Sequence, residues 1–352
     1  MQRRQSSTPR EPWVDVAKGL AIIAVALYHS ALLGMGADLV DDSWRQINTG
    51  LSRVRMPLFF FASGLFAASA VQRRWPRLWS GTMAKLAWCF VIWSVFRLAY
   101  LQVLPLPSRP QDDLHTFLMG PIWPVWLWYL HALVLFYVVT KLMYGRIPIA
   151  LQLAGAAVLS VLALSSVLDI SNIGYRGAAK FYVFFLIAAH FRTTLIPLIA
   201  RTPAWLPLPL LALFGGASVA VRSHEDVQGA VLAVCVAGVV ASCATAAVLS
   251  RTRLSAPFSY LGQRTIYVYV SHVFLVRLAL LFLEQLPEDT TRPIAMITPV
   301  LVAAWAVTGS ILLWLLFKRT PLNVLYEPPS WFTGDRRTSR TEGPRAVPGA
   351  RE

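Results

Sequence analysis

Charge is what this sequence has least of. Only 14% of its 352 residues are Asp, Glu, Lys or Arg, where a soluble domain carries about 25%. Acids are the scarcer sign, 17 against 32 bases, and 56% of the chain is hydrophobic. That deficit excludes an ordinary soluble enzyme and points to an integral membrane protein. Cysteine is nearly absent too. Cys89, Cys235 and Cys243 each fall inside an apolar block, with no CxxC spacing, so neither a disulfide framework nor a cysteine metal site is expected. HExxH, GxSxG, Walker A and GxGxxG do not occur in a usable context, and no metal is expected. No internal repeat of fixed period is visible. The net charge of +15 would suggest nucleic acid in a soluble protein. Here most bases lie between apolar blocks or in the tails, so no nucleic-acid partner is expected.

What is there is apolar sequence in blocks long enough to cross a bilayer, which takes about 20 residues. Ten spans can be marked, at 13–35, 54–72, 81–104, 121–143, 147–168, 178–198, 204–221, 227–249, 264–284 and 293–317. The expected fold is therefore all-α: a polytopic membrane protein of about ten transmembrane helices around a polar cavity. It divides into an N-terminal tail (1–12), a transmembrane domain (13–317) and a basic tail (318–352), disordered past about Trp331 on its Pro-, Arg- and Thr-rich composition. The first apolar run is too long for a cleaved signal, is interrupted by Asp15 and Lys18, and reads as an uncleaved span.

Charge placement orients the spans. The N-tail, every second connection and the C-tail together hold 20 of the Lys and Arg residues. The opposite connections hold seven: Arg45, Arg53, Arg55, Arg109, Arg176, Arg222 and Arg292. Those same connections hold most of the acids. The positive-inside rule then places both termini in the cytoplasm of a multi-pass protein of the cell membrane.

The polar residues within the spans carry the chemistry. The first span, WVDVAKGLAIIAVALYHSALLGMG, holds Asp15, Lys18 and His29. Lys18 and His29 are 11 positions apart, which is roughly 20° from alignment on a helix, and Asp15 is roughly 40° off the same line. Ionisable groups in hydrocarbon are costly and face a bundle interior or a wet cavity, so this face is expected to wall a polar cavity. Ser63 and Gly64 of the second span read equally as a small-residue packing contact. Arg55 marks the outer entry of that span. Lys85 and Arg97 sit near the two ends of the third, His131 lies about ten residues into the fourth, and Ser271, His272 and Arg277 bring polarity to the ninth. Each has a plain alternative: Lys85 snorkels, His131 packs, and the ninth-span groups form a polar seam between helices. His115 and the run Ser223-His224-Glu225-Asp226 read as solvated loop residues. Arg73, Arg74, Arg77 and Lys85 form an inner basic cluster, explained either by topology and lipid headgroups or by a phosphate site.

Taken together these motifs resemble the acyltransferase 3 family of membrane acyltransferases. Asp15-Val16-Ala17-Lys18-Gly19 followed by His29 is similar to its first-helix signature, a basic residue, ten others, then histidine. Arg55 to Gly64, RMPLFFFASG, resembles its second span, and Arg74-x-x-Arg77 its basic loop. Trp126 to Leu130 and Tyr260 to His272 resemble the fourth- and ninth-span consensus. Lys18 stands where the family often has arginine, which exchanges a two-pronged grip for a point charge. Within the family the DxxKG and MPLFFF patterns resemble the sugar O-acetylase branch, of the fucose 4-O-acetylase type. The resemblance implies an O-acyltransferase that moves an acyl group, acetyl above all, from acyl-CoA to a hydroxyl of a glycan, glycolipid or secondary metabolite. His29 is then the base, with Asp15 orienting Lys18. Lys18, Arg74, Arg77 and Lys85 hold the donor's phosphates. Arg55, Arg97, His131 and His272 face the acceptor or the oxyanion. The rival class is a membrane transporter, since deep charges also mark substrate pathways; a scaffold or sensor is a third.

The orientation is tested by reporter fusions. An alkaline phosphatase fused after Glu352 or at Arg146 is expected to be inactive, and one at Asp42 active; the reverse pattern overturns it.

Overall fold

The computed structural model describes residues 11–103, 114–223 and 227–334, and every regular element among them is a helix. In chain order the α-helices are α1 (Pro12–Met35), α2 (Trp44–Ala70), α3 (Trp75–Leu78), α4 (Ala84–Val103), α5 (Leu114–Met119), α6 (Trp128–Met143), α7 (Ile149–Leu164) and α8 (Ile173–Ala200). There follow α9 (Pro207–Ala220), α10 (Ala230–Leu249), α11 (Ser255–Gly262), α12 (Thr265–Leu283), α13 (Glu288–Thr291), α14 (Thr298–Phe317) and α15 (Ser330–Thr333). Each of the ten expected apolar segments falls on one of the longer helices. Six are long and apolar enough to cross a membrane: α1, the run Trp75–Tyr100, α8, α10, α12 and α14. α6, α7 and the stretch Pro207–Ser223 are shorter apolar helices, and α2 carries Arg45, Arg53 and Arg55 along its first half.

The boundaries differ from the sequence reading where polar residues hide a helix or apolar ones mimic it. α2 begins at Trp44, ten residues before the expected entry, so Arg53 and Arg55 lie inside a helix and are buried. Asn172 starts α8 early as an N-cap, its Oδ1 accepting the Tyr175 N–H at 2.9 Å. The expected fourth span starts late: Leu127 takes a left-handed conformation at φ 49° and α6 begins only at Trp128. The Pro- and Trp-rich stretch before it is therefore irregular chain, exposed at Pro121 to Trp123 and reaching the interior from Val125. A π-helical turn at Trp79–Met83 joins α3 to α4, and α8 is kinked at Phe191.

Glycines set the closest approaches. A Cβ on Gly19 of α1 would overlap the carbonyl of Phe258 in α11, and one on Gly262 of α11 would overlap the carbonyl of Asp15. These two reciprocal contacts press α11 backbone-to-backbone against α1. Gly64 does the same for α2 against the Phe185 carbonyl of α8, so the packing reading of this residue holds. Its neighbour Ser63 bonds the Tyr129 hydroxyl at 2.7 Å and the Phe59 carbonyl at 2.9 Å. Next to this contact Phe60 is fully buried among Trp128, Tyr129, Phe136 and Phe181, with ring centroids 4.8–6.1 Å away. That cluster ties α2, α6 and α8 together.

The tail from Lys318 is folded as far as Gly334, and residues 335–352, where most of the expected disorder falls, lie outside the described residues. The reason is a row of donors on α4. Trp88 Nε1–H donates to the Val324 carbonyl at 2.6 Å and Trp93 Nε1–H to Leu325 at 2.7 Å. Tyr326 is wholly buried between them, and Trp79 Nε1–H reaches the Phe332 carbonyl at 3.1 Å. The polar composition of the tail hides these few apolar anchors.

Overpacking a tight core contact costs about 1–3 kcal/mol. Gly262→Ala and Gly64→Ala are each expected to destabilise by about that much. Gly155→Ala in α7, where a Cβ meets nothing within 4 Å, is expected to stabilise by up to about 1 kcal/mol through helix propensity. Unfolding in detergent micelles checks all three.

Candidate active site

Short connections make successive long helices antiparallel, so the second half of one helix shares an end of the bundle with the first half of the next. At the end that holds the α1–α2 loop, a cavity of about 510 Å³ opens among α1, α2, α4, α8, α10, α12 and the irregular chain before α6. This size is in the range that holds a small-molecule ligand. α1 contributes Tyr28 and His29, α12 contributes Tyr269 and His272, and Val125 to Trp128 cross as one wall. The cations on the wall are Arg53 and Arg55 from α2, Arg97 from α4, and Arg176 and Lys180 from α8. Among the described residues, no Asp or Glu lines it.

The two imidazoles are neighbours. The rings of His29 and His272 lie 5.1 Å apart, centroid to centroid. His272 is only 2% exposed, and its Nδ1 lies 3.0 Å from the Val268 carbonyl and 2.8 Å from that of Tyr269. Both partners are acceptors, so Nδ1 carries the proton and Nε2 the lone pair. Nε2 is buried without a hydrogen-bond partner. His29 is half-buried and stacks edge-on against Tyr28 at 4.9 Å.

The arginines are placed by aromatic faces and carbonyls. The Arg55 guanidinium sits 3.8 Å over the Tyr28 ring, and its Nη1 is buried with no hydrogen-bond partner. Arg97 lies 3.0 Å over the Trp126 ring. Arg53 Nη1 donates to the Ser218 carbonyl at 2.5 Å. Aromatic faces hold a cation without neutralising it.

Of the residues expected from sequence, the cavity gathers His29, Arg55, Arg97 and His272. His131 is not on its wall. It lies 3.1 Å from the Pro121 carbonyl and packs between Phe90 and Tyr175. Lys18 and Asp15 are also off the wall, about three and four turns back along α1 from His29. Asp15 is buried and Lys18 Nζ lies 5.1 Å over the Phe66 ring. Arg74 and Arg77 are exposed at the opposite end. Lys85 is engaged by its own chain, pairing with Glu327 at 2.5 Å beside the Tyr267 hydroxyl. The four residues expected to hold phosphate thus do not line the cavity. His115 is exposed, and His224, Glu225 and Asp226 lie outside the described residues.

Three wall residues are not singled out by sequence. Arg53 and Arg176 count there as loop charges, because the helices that carry them start before the apolar runs do. Lys180 was the readable one: it lies within the first three turns of α8, inside an otherwise apolar stretch.

The family model described as an acyltransferase domain matches residues 11–319. Among curated proteins, "Inner membrane protein YcfT" of Escherichia coli (strain K12) is 25% identical over 165 residues, which is 40% of this chain and 46% of that protein. The chain therefore spans less than half the length of that relative. No solved structure matches. Helices of membrane-crossing length and a family match over nearly the whole chain lead to one conclusion: this is a multi-pass membrane protein, and it belongs to the acyltransferase 3 family.

Proposed function

We propose that the protein is an O-acyltransferase of the cell membrane that moves an acyl group, acetyl first among candidates, from acyl-CoA to a hydroxyl of a carbohydrate, glycolipid or secondary metabolite. The observation that carries this reading is the His29–His272 pair, 5.1 Å apart on the wall of a cationic, aromatic-lined cavity. Acyl transfer needs a base for the attacking hydroxyl, donors for the oxyanion, and a site shielded from water. His29 takes the proton of the acceptor hydroxyl as its oxygen attacks the thioester carbonyl carbon. The negative charge that forms on the carbonyl oxygen is held by the guanidinium of Arg55 or Arg97. Collapse of the adduct breaks the C–S bond, and the thiolate leaves with the proton His29 has taken up. His272, held in one tautomer by two backbone carbonyls, offers its Nε2 lone pair beside this exchange and fixes where a hydrogen-bond donor can sit.

The donor's phosphates fall to Lys18, Arg74 and Arg77 at the other end of the bundle. Lys18 and His29 are about 16 Å apart along α1, and the extended pantetheine arm of coenzyme A joins phosphates to thioester across such a distance. Lys85 joins that group only if Glu327 releases it.

The purified protein in nanodiscs, given labelled acetyl-CoA and a panel of hydroxylated acceptors, is expected to label product. His29→Ala is expected to lower kcat by about 10²–10⁴-fold, the usual worth of a positioned base, with folding intact. Full activity in His29→Ala removes the base assignment. Uptake of an unmodified acceptor into vesicles, with no labelled product from any acyl donor, identifies a carrier instead.

A further inference from the structure

One wall of the cavity rests on residues beyond the stretch matched by the family model, which ends at residue 319. α4 reaches the cavity through Trp93 and Arg97. Trp93 is the nearer of the two to the opposite end of the bundle, where α3 and α4 begin. It is 2% exposed. Its ring lies 5.6 Å from that of Phe274, another wall residue, and 5.5 Å from that of Tyr326 in the tail, centroid to centroid. Tyr326 is wholly buried and is not on the wall. Trp93 therefore stands between the cavity and the tail.

The tail fixes Trp93 in two ways. The Leu325 carbonyl accepts its indole N–H at 2.7 Å. Indole has that one donor and no acceptor, so the bond settles how the ring is turned. Tyr326 then fills the space behind the ring, as a close-packed interior requires. Tyr326 is itself fastened on both sides. Its carbonyl accepts the Cys89 thiol of α4 at 3.4 Å, and its ring meets Tyr267 of α12 edge-on at 5.4 Å. The next residue, Glu327, pairs with Lys85 of α4 at 2.5 Å and accepts the Tyr267 hydroxyl at 3.0 Å. The tail is thus a wedge between α4 and α12, the helices that carry Arg97 and His272.

A thioester that is to meet a sugar hydroxyl has to be kept from water. Resting on the acyltransferase reading above, we propose that Tyr326 is a positioning residue of the active site. It holds Trp93 as a seal between the cavity and the opposite end of the bundle, and so sets how the acyl group divides between acceptor and water. Without the Tyr326 ring a void opens behind Trp93, the indole turns into it, and water enters. Water then takes the acceptor's place: its oxygen bonds to the acyl carbon, the C–S bond breaks, and the products are a free carboxylic acid and coenzyme A.

The test uses the full-length protein in nanodiscs, with acetyl-CoA and each acceptor that becomes labelled. Tyr326→Ala is expected to lower transfer by about tenfold to a hundredfold, the cost of misplacing a group from a distance. The ratio of free acetate to acylated product is expected to rise by about tenfold, because the barrier to water is lost. Tyr326→Phe, which keeps the ring, is expected to restore both. A simple loss of folded protein does not move that ratio. Deuterium exchange of the Trp93 indole N–H reads the seal without turnover, its NMR signal being the one absent from Trp93→Phe. It is expected to speed up by about tenfold or more in Tyr326→Ala and to return in Tyr326→Phe. Where Tyr326→Ala fails to fold, Tyr326→Leu, which keeps more of the volume, carries the same test. Transfer and hydrolysis that fall together in the folded variant overturn the proposal, and so does an unchanged exchange rate at Trp93. Neither transfer nor hydrolysis in the unaltered protein, with any acyl donor, sinks the enzyme reading instead. Exchange at Trp93 then still decides whether Tyr326 holds it.

Discussion

The constraint behind this architecture is the cost of an ionisable side chain in hydrocarbon, about 3 kcal/mol or more at the centre of a span. The described part of this chain places His29, Arg53, Arg55, Arg97, Lys180 and His272 on helices, and all of them face the same cavity. One polar space shared by several helices meets the cost for all of them at once. The aromatic partners serve the same end: Tyr28 under Arg55 and Trp126 under Arg97 hold each guanidinium without consuming its charge.

A cavity of this kind needs walls that do not drift. In a bilayer the helices gain nothing from burying apolar surface against one another, so close packing of small residues carries the association. Gly19 and Gly262 bring α1 and α11 into backbone contact, and Gly64 brings α2 onto α8. α1 and α2 carry His29 and Arg55, so these glycine contacts anchor the two helices that hold the imidazole and the guanidinium. The folded tail adds a clamp at the other end, where the tryptophans of α4 bond the carbonyls of Val324 and Leu325. The same clamp occupies Lys85 through Glu327, which couples the tail to one of the residues expected to meet the donor.

The two ends of the bundle thus have different characters. One holds the cavity with its paired imidazoles. The other holds exposed Arg74 and Arg77 and the half-buried Lys18. α1 runs between them, with Lys18 and His29 on one face, and it is the element through which a long donor molecule would bridge the two.

By itself the sequence determined the class of molecule and the position of many of its polar groups along their apolar blocks. Apolar block length states how much of the chain can span a bilayer, and position along a block states how deep His29, Arg97 or His272 lies, because a helix rises by a constant amount per residue. Which groups meet depends on how each helix is turned and on which neighbours it packs against, and no local pattern encodes that. His131 matches His29 in type and reads as deep in its span, yet α6 begins only at Trp128 and sets His131 in its first turn beside Tyr175, off the cavity wall. Arg53 and Arg176 look like loop charges, because the helices that carry them begin in polar sequence. The tail up to Gly334 takes its place from donors on α4 more than 200 positions earlier, which its own composition does not show. Depth is a property of one helix and can be read from it; proximity belongs to pairs of helices, and only their packing decides it.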